Sequence, residues 1–170
     1  MVQGVVAPRA PQPRWAVPAF IGLTVTAAAG VTALGWRQAG PPRDIVALVL
    51  LAMVAVVSQA LRVTVLNRVS LAAGSIITLA AVVLVGPVGA AIVSALPMMT
   101  DLGARRSSVR TFNSAMGAFL GSVGGLAYLW SGGATELATL AGAGDMLLRV
   151  GLPLMIADVV QSLGNFMLVG

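Results

Sequence analysis

The chain contains no cysteine, no histidine and no lysine. Without thiols there is no disulfide and no thiolate nucleophile. Without imidazole, Ser-His and Cys-His catalytic pairs, histidine metal sites and axial histidine ligation of haem are excluded. Walker-type phosphate loops, dinucleotide fingerprints and paired-carboxylate sites are missing too, so the residues call for no cofactor, no metal and no enzymatic role of their own. Charge is equally scarce: 9% of the 170 residues carry one, against roughly a quarter in a soluble domain. That excludes a water-soluble globule.

What is present is apolar. Hydrophobic residues make up 58% of the chain, 20 glycines are scattered among them, and mean hydropathy is +0.98. This composition predicts an all-α polytopic bundle whose solvent is lipid. Ten basic residues oppose five acids, which could suggest a nucleic-acid binder. All ten are arginines standing singly or in small groups between apolar runs, so they read as topology determinants and no nucleic-acid partner is expected.

Residues 1–14, with Pro8, Pro11 and Pro13, form a short arm too polar to order itself. A first span runs from Trp15 to Trp36, anchored by Arg14 and Arg37 beside its tryptophans. Ala27, Ala28 and Ala29 could mimic a signal-peptide cleavage site, but the apolar run continues past them. Gly-Pro-Pro at 40–42 separates it from a second span, Asp44 to Leu61, followed by a short extended connector from Arg62 to Ser70. The nearly uncharged stretch Leu71–Leu102 is too long for one span, so a tight hairpin at Gly86-Pro87 is expected to divide it into two helices, with a kinked single helix or a re-entrant pair as the alternative. A basic loop, Asp101 to Phe112, precedes a fifth span from Asn113 to Trp130. A polar loop from Ser131 to Asp145, with a short surface helix after Thr135, leads to a sixth span, Met146 to Gly170. About six transmembrane helices therefore make up a single domain over 15–170. Arg9, Arg14, Arg62, Arg68, Arg105, Arg106 and Arg110 then fall on one side, and Arg37, Arg43 and Arg149 on the other. Seven against three places both ends in the cytoplasm of a cell with an inner (plasma) membrane.

Candidate sites follow from polarity inside spans. Asp158 lies midway along the sixth run, and Gln161, Ser162 and Asn165 fall within an arc of about 100° around it. The stripe is either a ligand, ion or proton site facing the bundle interior, or interhelical hydrogen bonding. Gly117, Gly121 and Gly125 stand four apart and share one face suited to close helix packing. Ser58, Gln59, Ser75 and Thr78 are expected to be satisfied locally, and Asn113 to cap the fifth helix. Arg105, Arg106 and Arg110 set topology or meet lipid headgroups.

Four segments carry a resemblance: Arg68-Val-Ser-Leu, Val85-Gly-Pro-Val-Gly-Ala-Ala, Asp101-Leu-Gly-Ala-Arg-Arg and Arg110-Thr-Phe-Asn113. With Ile156-Ala-Asp-Val-Val and Asn165, the stretch from Arg68 to Gly170 resembles the N-terminal multi-helix membrane region ahead of bacterial GGDEF or HD-GYP signalling domains. The resemblance implies a sensory or anchoring region coupled to a cytoplasmic domain of cyclic di-GMP turnover beyond Gly170. The same pattern is also similar to substrate-binding subunits of energy-coupling-factor vitamin transporters, which share six spans with both ends inside. Gly22, Thr26 and Gly30 would then offer a partner subunit a small-residue face. The expected partners are the lipid bilayer and, beyond it, a second copy or a partner membrane subunit; the ligand is not legible.

Overall fold

The structure, a computed structural model, describes residues 15–61, 70–100 and 106–169. The arm 1–14, the connector after Leu61, Asp101 and Arg105 lie outside the described residues. Among those described, every long element is a helix and no strand occurs. Helix α1, Ala16–Ala39, stops at Gly40, whose φ of 76° lets its N–H reach back to the Trp36 carbonyl at 2.8 Å. Helix α2, Ile45–Leu61, is started by Asp44, whose Oδ1 accepts from the Val46 and Ala47 N–H groups at 2.9 and 3.0 Å. Helices α3, Ser70–Met99, and α4, Ser107–Trp130, follow. After one 3₁₀ turn at Leu137–Thr139, a short α5, Ala143–Met146, runs through a wide turn at Leu147–Gly151 into α6, Leu152–Val169.

Three stretches are long and apolar enough to cross a membrane: Ala16–Ala39, Gly74–Met99 and Ala143–Met167. Their outward faces carry Leu23, Ile76, Met155 and Phe166 more than half exposed, as lipid contact requires. The expected six full-length spans are not matched by helix lengths. The 17 residues of α2 rise about 25 Å, short of the ~30 Å hydrocarbon layer.

Helix α3 is shorter still in effect, because Gly86 breaks it with φ 84° and ψ −176°. Thr78 and Ser94 are 16 residues apart, which in a continuous helix would mean about 24 Å of rise. Their hydroxyls lie 2.9 Å from each other. The arms 70–85 and 87–99 therefore fold back on one another about Gly86, and each reaches only about 20–24 Å. Val82, Val85 and Pro87, around the bend, are almost wholly buried, so the tip of this hairpin sits inside the protein.

Helix α4 is the hub. Carbons added at Gly117 and Gly121 would each come within 2.6 Å of backbone oxygen on the second arm of α3, at Ser94 and Ala90, and one at Gly125 would meet Pro87 at 2.5 Å. The pairs 117/94, 121/90 and 125/87 run in opposite senses, so the two helices are antiparallel with backbones in contact. Van der Waals packing of this kind is the main force available between helices in lipid. On another side α1 runs parallel to α4. The Phe20 and Phe112 rings have centroids 5.4 Å apart, the Thr32 and Ser122 hydroxyls are 2.8 Å apart, and Trp130 donates to Gln38 at 2.7 Å. Gly124 faces Gln161 and Gly164 faces Leu120, so α6 is antiparallel to α4.

One end is fastened by backbone chemistry. Pro153 has no N–H to give the Arg149 carbonyl, four residues earlier. The wide turn presents that carbonyl to the Ala134 N–H at 2.6 Å. The buried Tyr128 hydroxyl donates to the Ala134 carbonyl at 2.9 Å, and Arg43 donates to the Thr135 carbonyl at 2.7 Å. The α1–α2 turn, the end of α4 and the start of α6 thus meet at one end.

Candidate ligand cavity

At the opposite half of the bundle a cavity of about 610 Å³ lies between α2, both arms of α3, α4 and α6. It falls in the ~300–1,000 Å³ range of small-molecule sites. Its position follows from the hairpin: the second arm is held tightly on the glycine face of α4, while α2 and α6 pack around it and leave space towards Ser58, Met98 and Asn113.

The lining is unusually polar for an apolar chain. Ser58 and Gln59 come from the last turn of α2, Ser75 and Thr78 from the first arm of α3, and Ser94 from the second. Asn113 enters from α4, and Gln161, Ser162 and Asn165 enter from α6. Ile77, Val93, Met116 and Leu120 supply apolar walls between them. Among the described residues no charged side chain lines the cavity.

The expected polar stripe of α6 is thus divided. Gln161 and Asn165 line the cavity, whereas Asp158 lies one helical turn nearer the Trp130 end. It borders an adjoining, more open space of about 630 Å³, with Leu79 and Phe166. Ser75, Ser162 and Asn165 border both spaces. Asp158 is half-buried and makes no hydrogen bond or ion pair among the described residues.

Gln161 is 9% exposed, and its Nε2 is buried with no hydrogen-bond partner. Its carboxamide lies over Gly124, where any Cβ would collide with it. Gly124, one residue before the third glycine of the expected packing face, was not singled out by spacing. The repeat of four marks the face toward α3, and only the fold shows that the neighbouring glycine makes room for a side chain from α6.

Three expectations need correction. Asn113 is no helix cap: α4 begins at Ser107, six residues earlier, because nothing in Ser107-Ser-Val-Arg-Thr-Phe112 opposes helix. Arg110 accordingly stands on the helix rather than in a loop, with exposed Arg106 just before it. Thr78 does not bond within its own helix but pairs with Ser94 across the hairpin. Ser94 itself has no distinguishing sequence context; its partner is fixed by the bend at Gly86.

Comparison with known protein families, curated proteins and solved structures returns no match.

Proposed function

We propose that the chain is the membrane-embedded sensory region of a bacterial signalling protein, which binds a small molecule and passes its occupancy to a cytoplasmic output domain following Gly170. The observation that carries this reading is the place of the polar cavity. It lies in the half of the bundle flanked in sequence by Arg9, Arg14, Arg62, Arg68, Arg105, Arg106 and Arg110. The arginine excess assigns that end to the cytoplasm. The hairpin of α3 enters and leaves on the same side, which supports an even number of crossings and both ends in the cytoplasm. Three of the lining residues, Gln161, Ser162 and Asn165, lie on the final helix within ten residues of Gly170. A ligand that touches them in one tilt or rotation of α6 better than in another shifts the helix that leads outward.

The coding sequence downstream of the Gly170 codon tests the proposal. A helical linker followed by a GGDEF or HD-GYP domain is expected, and a stop codon there overturns it. A second reading, the substrate-binding subunit of a vitamin transporter, has one feature in its favour. Gly22 and Gly30 on α1 have open space where their side chains would be, so a partner membrane helix could pack there. Against it, such a subunit would hold its ligand under the outer loops, the end that here is fastened by Tyr128, Ala134 and Arg149.

A further inference from the structure

We infer that the cavity takes an uncharged molecule with an amide-type edge, one that presents a hydrogen-bond donor and an acceptor side by side, such as a carboxamide, lactam or nucleobase. The inference rests on the reading of this cavity as the signal site and goes on to name its ligand class.

Two independent observations converge. The first is the inventory of the lining. Four carboxamides, Gln59, Asn113, Gln161 and Asn165, reach the cavity from three different helices. Each offers both a donor and an acceptor, and the partner that satisfies both at once is another amide-like edge. None of the described lining residues carries a formal charge, so within that lining a carboxylate or phosphate would be desolvated with no counter-ion among them. Asp158, the nearest acid on α6, borders the adjoining space instead. The second observation is the unpartnered Nε2 of Gln161, a residue more than nine-tenths buried whose carboxamide lies over Gly124. Buried polar nitrogen is almost always paired, with protein or water or ligand. Here Gly124 leaves room for the carboxamide against α4 and the nitrogen is closed off there without a partner, so a turn of the carboxamide about its last side-chain bond is what brings the donor to a ligand in the cavity that Gln161 lines. The Thr78 and Ser94 hydroxyls, bonded to one another, add hydrogen-bonding oxygen to the same space. A volume of about 610 Å³ leaves room for a molecule up to nucleoside size.

The experiment is thermal unfolding of the purified protein in detergent, with matched neutral and anionic probes: nicotinamide against nicotinate, uracil against orotate, uridine against uridine monophosphate. Ligand that binds only the folded state raises the midpoint in proportion to the logarithm of its concentration. At least one neutral member is expected to raise it, with its anionic partner at least tenfold weaker. Gln161→Met keeps the length of the side chain and removes a donor that has no partner, so the fold should persist while the neutral probe loses at least tenfold in affinity. Asn165→Ala, at an exposed position on the same wall, should weaken the probe without unfolding and stands in if Gln161→Met does not fold. Stabilisation by the anionic members as strong as by the neutral ones overturns the ligand class but leaves the cavity a binding site. Silence from every probe, or an undiminished response in Asn165→Ala or in folded Gln161→Met, overturns the inference; the sensory reading is judged separately by the downstream coding sequence.

Discussion

At the scale of single residues, polar groups in this chain do two different jobs. The Tyr128 hydroxyl bonds the buried Ala134 carbonyl, and Tyr128→Phe leaves that oxygen short of a donor. A loss of about 1–3 kcal/mol is expected, measured as a lower unfolding midpoint in detergent, with no change in probe binding at the far cavity. Asp158→Asn should leave both stability and probe binding as they are, because the carboxyl has no partner among the described residues and stands outside the cavity. A large effect on binding would place the charge in the ligand site after all. The sequence marked Gln161 and Asn165 because helical periodicity can be counted along one helix. It could not rank them above Asp158, since which side of the stripe faces a cavity depends on how α6 is rotated against α3 and α4. Ser94 and Asn113 were beyond sequence reasoning for the same cause: their role comes from neighbours distant in the chain.

At the scale of helices, the glycine positions divide between bend and contact. Gly86, with its positive φ, makes the bend of α3. Gly117, Gly121 and Gly125 let α4 lie on the second arm. Gly121→Leu must push the Ala90 backbone away and is expected to cost about 1–3 kcal/mol or more. Ala118→Leu, one residue after Gly117 and about 100° round the helix from it, should be tolerated; the comparison is read from yield of monodisperse protein and from unfolding midpoints. These elements were legible because a bend needs glycine and proline together, and close packing needs small residues at a fixed spacing. The start of α4 was hidden because three arginines among polar residues look like a loop, although serine and arginine at a helix start cost little. The modest hydropathy of α4 also has its reason in packing: a helix wrapped by α1, α3 and α6 need not be strongly apolar.

At the scale of the whole molecule, the contacts at 38/130 and 43/135 gather the α1–α2 turn and the loop after α4 at one end, and the Phe20–Phe112 pair marks the other. Since the native chain has no cysteine, single cysteines can report the orientation. Pro41→Cys is preferable to a change at Gly40, whose φ of 76° resists any side chain. Pro41→Cys and Gly142→Cys should react with a membrane-impermeant maleimide from outside, and Arg106→Cys only after permeabilisation; the reverse pattern would invert the orientation. The fold-back of α3 also dictates an order of synthesis. Its two arms are each too short to lodge alone in the bilayer, and the surface that embraces them, the glycine face of α4, is translated only afterwards. A chain ended at Thr100 should therefore keep its hold on the membrane through α1 but leave the hairpin open to protease, while one ended at Trp130 should protect it. The nascent hairpin has to be sheltered by the insertion machinery for as long as the ribosome takes to supply its lining.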